Sequence, residues 1–178
     1  IANLTAIPPG APPEAVIAFD TGPGNMVIDA LVSQFSVGGL TFDRDGRMAA
    51  TGRVNYPLLA ELMKAPYIKR SPPKSCGREQ YGAEFVSALL ADDLPAADLV
   101  ATATAFTVSA IAEAVRNFIA PNMPVDELIV SGGGAKNPEL LRRLREQLDR
   151  VQVLSSNDLG IDGDAKEAIA FAALAYES

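Results

Sequence analysis

A chain of 178 residues, 48% hydrophobic and 21% charged, has the size and composition of one globular domain with room for a core, which excludes disorder. A formal net charge of −7 argues against a nucleic-acid footprint. The absence of histidine and the single cysteine rule out Ser-His-Asp and Cys-His machinery, histidine zinc sites and an internal disulfide within the chain. What remains is carboxylates, hydroxyls, Lys/Arg and glycine-rich backbone, the tools of phosphoryl transfer and nucleotide binding.

The residues from Ala2 to Ile7 read as a strand, broken by PPGAPP, and Ala15 to Phe19 as a second, so the pair can form a hairpin. The opening IANLTAIPPG has neither the basic start nor the apolar run of a signal peptide. An immediate strand with no Met suggests a piece of a longer polypeptide. Asp20-Thr21-Gly22-Pro23-Gly24-Asn25 follows, and Met26 to Phe35 has helical spacing, ended by Gly38-Gly39. Thr41 to Val54 reads as an excursion of short extended pieces around an Asp45-Gly46 turn. Tyr56 to Lys64 is a short helix with Pro57 in its first turn, Pro66 to Gly82 a loop carrying Lys69, Arg70, Lys74 and Arg78, and Glu84 to Ala91 another short helix.

Pro95 opens the longest helix, which ends near Ala120. Its stripe of Leu99, Ala103, Phe106, Ala110, Ala114 and Phe118 is broadened by Val100, Thr107, Ile111 and Val115, a width that predicts burial on more than one side. Its charge-free stretch, Leu99 to Ala112, is too short to span a bilayer. Leu128 to Val130 is a strand, Gly132-Gly133-Gly134 a turn, and Asn137 with Pro138 caps and opens a helix whose Leu141, Leu144 and Leu148 face inward. Val151 to Leu154 completes a βαβ unit with parallel strands. Asp164 with Glu167 has the spacing of a capping box for a last helix through Tyr176. The four strands are expected in one mixed sheet, with the long helix packed on it through Phe106 and Ile111.

Two glycine turns sit where a strand meets a helix. In DTGPGN the glycines would let backbone approach a phosphate, the helix N-terminus attracts anions, and Asp20 can hold Mg²⁺ directly or through water. A tight strand-to-helix turn with Asp20 as a structural acceptor explains the same residues. Aspartic proteases also use Asp-Thr-Gly, but paired and in an all-β setting. Ser131-Gly132-Gly133-Gly134 has the context in which a glycine turn receives a nucleotide, without the GxGxxG spacing or the acidic partner of an NAD site. The segments 160–164 and 43–46 lack the ligand spacing of a calcium loop and read as turns. Lys69 to Arg78 can meet an anionic substrate or stand as a solvated surface.

In order and spacing, DTGPGN, PPKSCGRE, VSGGGAKNP and GIDGDAKEA resemble the C-terminal half of the anhydro-N-acetylmuramic acid kinase family along nearly the whole chain. IANLT resembles the end of that family's N-I-G-G-I-A-N segment. The resemblance implies an α/β, ribonuclease H-like lobe of the sugar kinase, Hsp70 and actin superfamily, a mixed sheet flanked by helices. The rest of the two-lobed enzyme, with its G-T-S-x-D-G turn and catalytic aspartate, would precede Ile1, so no catalytic residue is expected here and the chain alone would be inactive. It further implies a cytoplasmic enzyme that takes ATP, Mg²⁺ and 1,6-anhydro-N-acetylmuramic acid to N-acetylmuramic acid 6-phosphate in cell-wall recycling. No nucleic-acid or membrane partner is expected, and a homodimer is compatible with it. Gly132, Gly133, Gly134 and Asn137 fall to the adenosine side, and Asp20, Thr21, Gly22, Gly24 and Asn25 to the phosphate and Mg²⁺ side. Lys74 and Arg78 are candidates for the sugar. Cys76 stands where the family's K-S-T-G-R-E stretch has Thr, which puts a direct polar role there in doubt. A non-catalytic nucleotide- or partner-binding lobe of the same fold is the alternative.

Overall fold

A computed structural model describes residues 1–36 and 39–160. Gly38, the GIDGDAKEA motif beyond Gly160 and the expected last helix lie outside the described residues. In chain order the elements are β1 (Ala2–Ala6), β2 (Ile17–Gly22), α1 (Asn25–Phe35), α2 (Arg47–Thr51), α3 (Tyr56–Leu62), α4 (Pro66–Lys69), α5 (Arg78–Tyr81), α6 (Ala83–Leu90), α7 (Ala96–Ala114), β3 (Glu127–Val130), α8 (Pro138–Gln147) and β4 (Gln152–Ser155). The excursion after Thr41 is therefore helical rather than extended, and the basic loop contains two one-turn helices.

The α7 helix organises the rest. Thirteen of its nineteen residues are buried, on all sides, because its small Ala side chains let neighbours approach from several directions. It continues as a π turn over Val115–Ile119. The segment Ala96–Ile119 is long and apolar enough to cross a membrane, contrary to the expectation from its charge-free stretch, yet 78% of its apolar window is buried. That burial marks a core helix. Its threonines satisfy themselves on carbonyls: Thr102 and Thr104 donate one turn back to Asp98 O and Val100 O.

Two clusters form the core. One gathers Val27, Ile28 and Leu31 of α1, Leu89 of α6 and Leu99 and Phe106 of α7. The other gathers Leu4, Ala6 and Phe19 of the first hairpin, Val108 and Ala112 of α7, Leu140 and Leu144 of α8, and Val153.

The expected single mixed sheet is corrected. β1 and β2 form one antiparallel pair and β3 and β4 a separate parallel pair. Both pairs contribute to the same cluster beside α7, so side-chain packing rather than a backbone ladder unites them. The apolar pattern specifies burial against the helix, but it does not specify which strand edges meet. Phe106, expected against the strands, meets the rings of Tyr81 and Phe85 instead. Ile111 packs on the strand-side cluster.

Candidate functional site

The DTGPGN turn is mostly spent inside the fold. β2 runs on through Asp20, Thr21 and Gly22, so half of the motif is strand. The buried Thr21 hydroxyl donates to Ala2 O at 3.2 Å. A Cβ on Gly22 would sit 3.3 Å from the Ala110 methyl. Gly24 has φ +58°, and a Cβ there would lie 2.7 Å from the backbone of Ile1 and Ala2, so only glycine fits. Thr107 of α7 donates to Gly24 O at 2.8 Å, which ties the turn to the core helix.

Asp20 is held from four directions. Its carboxylate oxygens accept from Asn3 Nδ2 at 3.1 Å and from the Cys76 backbone N–H at 3.0 Å. Tyr67 Oη donates to its carbonyl at 2.8 Å, and its own N–H donates to Lys74 O at 3.2 Å. The Cys76 side chain makes a weak 3.9 Å contact to Gly22 O and meets the Tyr67 hydroxyl, and burial pushes its thiol pKa up. The backbone of residue 76, rather than its side chain, serves Asp20. Among the described residues no three Asp, Glu, His or Cys side chains cluster as a metal cage. Asp20, half-buried with one donor on each oxygen, fits a carboxylate that meets a cation through water.

Lys74 is turned into the fold. It is 6% exposed, donates to Tyr67 O and Ile68 O at 3.2 Å each, and lies 4.9 Å from the ring centroids of Tyr67 and Phe118 and 5.7 Å from that of Phe19. Burial lowers its pKa. Its ammonium fastens the chain beneath Asp20, a structural role for the residue expected at the sugar. Arg78 is exposed at the start of α5.

The second glycine turn is built differently. Gly132–Lys136 is a short 3₁₀ segment. Gly132 has φ +70° with nothing within 4 Å of an added Cβ. A Cβ on Gly133 would meet Asn25 Nδ2 at 2.8 Å, so the end of the first motif and the middle of the second touch. Gly134 lies over Val130 and Leu140. The Asn137 side chain caps α8 by accepting from Leu140 N at 3.1 Å. A Cβ on Gly46, at φ +64°, would run into Asn137 Oδ1 and Glu139 Cβ. Glu139 in turn binds Arg142 at 2.6 Å and Arg143 at 2.7 Å, and the Arg142 hydrogen bond is the largest cause of its lowered pKa.

Asn25, Gly133 and Asn137 line one cavity of about 390 Å³ with Ile28, Asp29, Thr41, Phe42, Asp43 and Lys136. That volume lies in the range of small-molecule clefts. Three of the sequence candidates thus converge, while Thr21, Gly22 and Gly24 support the turn from behind. Asp29 and Phe42 are additions. Asp29 stands four residues after Asn25 on α1, hence on the same face, a spacing that the sequence carries. Phe42 lies in a segment whose short helices left no periodic signal.

A mixed α/β domain with a glycine turn opening into a polar cavity at the mouth of a strand-turn-helix unit is compatible with a domain of the sugar-kinase type. The family model for anhydro-N-acetylmuramic acid kinase matches residues 1–178. The chain is 44% identical to the anhydro-N-acetylmuramic acid kinase of Caldanaerobacter subterraneus subsp. tengcongensis, over all of this chain and 46% of that protein. It is 45% identical to the kinase of that name from Salinibacter ruber, over all of this chain and 45% of the relative, and 45% identical to the one from Streptomyces coelicolor, over 99% and 44%. The chain belongs to the anhydro-N-acetylmuramic acid kinase family, and it spans about half the length of the curated relatives it matches.

Proposed function

We propose that the full-length protein is an ATP-dependent sugar kinase acting on 1,6-anhydro-N-acetylmuramic acid, and that this chain is its nucleotide-side lobe, of the ribonuclease H-like kind. The γ-phosphoryl group of ATP passes to the sugar's 6-oxygen while one water adds across the anhydro bridge, giving N-acetylmuramic acid 6-phosphate and ADP. Dependence on ATP puts the reaction in the cytoplasm, as a step of cell-wall recycling.

The observation that carries this reading is the meeting of Asn25 with Gly133 at a cavity open to a ligand. The Gly132–Gly133 backbone would receive the adenosine half beside the Asn25 side chain, because neither glycine carries a side chain of its own to block a flat group. The first turn of α1, opening at Asn25, would face the phosphates, where unpaired helix amides favour negative charge. Bound to the phosphates, Mg²⁺ would neutralise charge in the transferring group, and Asp20 would hold one of its waters. A kinase of this type assembles its reactive centre between lobes, so the 178 residues alone are expected to be inactive.

The test is a coupled assay for ADP release by the full-length protein with ATP, Mg²⁺ and the anhydro sugar, with mass spectrometry of the product. A phosphorylated, ring-opened sugar at ~1–100 turnovers per second is the expected result. Nucleotide binding without sugar-dependent ADP release would favour a non-catalytic lobe of the same fold.

A further inference from the structure

Within the cavity, Phe42 and Asp29 stand out as unused by the fold. Phe42 is 50% exposed and makes no ring contact among the described residues. It is nevertheless fixed in place, because the next residue, the buried Asp43, accepts from the backbone N–H groups of Met48 at 2.8 Å and Ala49 at 2.9 Å. An exposed aromatic face on anchored backbone at the rim of a cavity is a platform on which a flat ring can stack.

Asp29 is half-buried and makes no hydrogen bond or ion pair among the described residues. Burial, the largest cause, pushes its pKa up to about 6, and the neighbouring Asp43 adds to the shift. A carboxylate kept in such a place costs stability and receives nothing from the fold in return, which is the mark of a residue retained for binding. Asp43 is committed to the fold: it is buried, and each of its oxygens accepts a backbone N–H. Asp29 lies one helical turn, about 6 Å, beyond Asn25 along α1. Asp29 and Asp43 share the cavity wall with Lys136, and a phosphate set against the Asp29 carboxylate would be repelled, so phosphate belongs at the N-terminus of α1 and a hydrogen-bond donor belongs beside Asp29. A nucleoside supplies such donors, as ribose hydroxyls or as the exocyclic amine of adenine.

We infer that Phe42 and Asp29 form the nucleoside-binding wall of this cavity, the Phe42 ring stacking on the base and the Asp29 carboxylate accepting a hydrogen bond from a ribose hydroxyl or the adenine amine. This rests on the kinase reading and extends it by assigning which residues select the nucleoside.

Calorimetry on the full-length protein tests it, with ATP, ITP and 2′-deoxy-ATP as ligands and melting temperature as the check on folding. Phe42→Ala is expected to weaken ATP binding about tenfold or more, and Phe42→Trp to restore it, since stacking needs only an aromatic face. Asp29→Asn is expected to weaken ATP binding about tenfold at pH 7.5. Against the analogue that lacks the bonded donor, ITP for the amine or 2′-deoxy-ATP for the ribose, that loss should disappear, because the cycle removes a partner already gone. Wild-type ATP affinity in folded Phe42→Ala and Asp29→Asn overturns the inference while leaving the kinase reading intact. No ATP binding by the wild-type protein overturns both.

Discussion

The two glycine turns of this chain look alike in sequence and are built for opposite purposes. Gly22 and Gly24 are buried, and their missing side chains make room for Ala110 and for the backbone of Ile1 and Ala2. Gly133 is exposed, and its missing side chain leaves Asn25 and a cavity accessible. In the first turn glycine serves close packing inside the protein; in the second it borders an open cavity. A run of glycines between a strand and a helix does not distinguish these, whereas the nearest atom to an absent Cβ does.

The largest effect expected from this contrast is on stability, at the first turn. Gly24→Ala forces a Cβ into backbone at a positive φ and should cost more than about 2 kcal/mol, read as a lowered denaturant midpoint. Thr107→Val removes the donor to Gly24 O and leaves a buried carbonyl unpaired, at about 2 kcal/mol. Its unfolding should be measured with a Thr107→Ser control that keeps the hydroxyl and is less destabilised. At the second turn the pattern reverses. Gly133→Val meets the end of a side chain, so the melting temperature should hold while ATP affinity falls at least tenfold, about 1.4 kcal/mol. An equal loss of stability at both turns would erase the distinction.

The smallest effect concerns Asp29 and sharpens the idea that the cavity is maintained at the expense of the fold. Its carboxyl pKa is raised from 3.8 to about 6 in the folded chain. The folded state therefore holds the proton more tightly than the unfolded state, and stability is lost as pH rises through that window. Asp29→Asn should thus be more stable than the wild type at pH 7 by about 1 kcal/mol, the solvent near a half-exposed group screening the rest. The gain should vanish below about pH 4, as followed by urea unfolding across pH. A gain unchanged with pH would remove the titration of Asp29 from the explanation.

Much of the scaffold was legible because it follows from local rules. Asn137 and Pro138 start α8 as a cap and a first-turn proline should, and the long helix was marked by a stripe too wide for one buried side. The parallel pairing of β3 with β4 followed from the intervening helix. The division of the strands into two pairs was not legible, since alternation of apolar residues fixes a buried face and leaves the neighbour open. Around the cavity, Asn25, Gly133 and Asn137 could be read from their turns. The burial of Lys74 could not be read, because it depends on three rings, Phe19, Tyr67 and Phe118, brought from distant parts of the chain. Phe42 was equally hidden: its fixed position depends on Asp43 capping backbone amides five and six residues on.

The central claim is that nucleotide enters where Asn25 meets Gly133, and a crystal structure of the full-length protein with Mg²⁺ and a non-hydrolysable ATP analogue tests it most directly. The account predicts the adenosine against the Gly132–Gly133 backbone, its base on Phe42, and the phosphates at the N-terminus of α1. A fully ordered analogue bound elsewhere, with the cavity between Asn25 and Gly133 filled only by water, would contradict it.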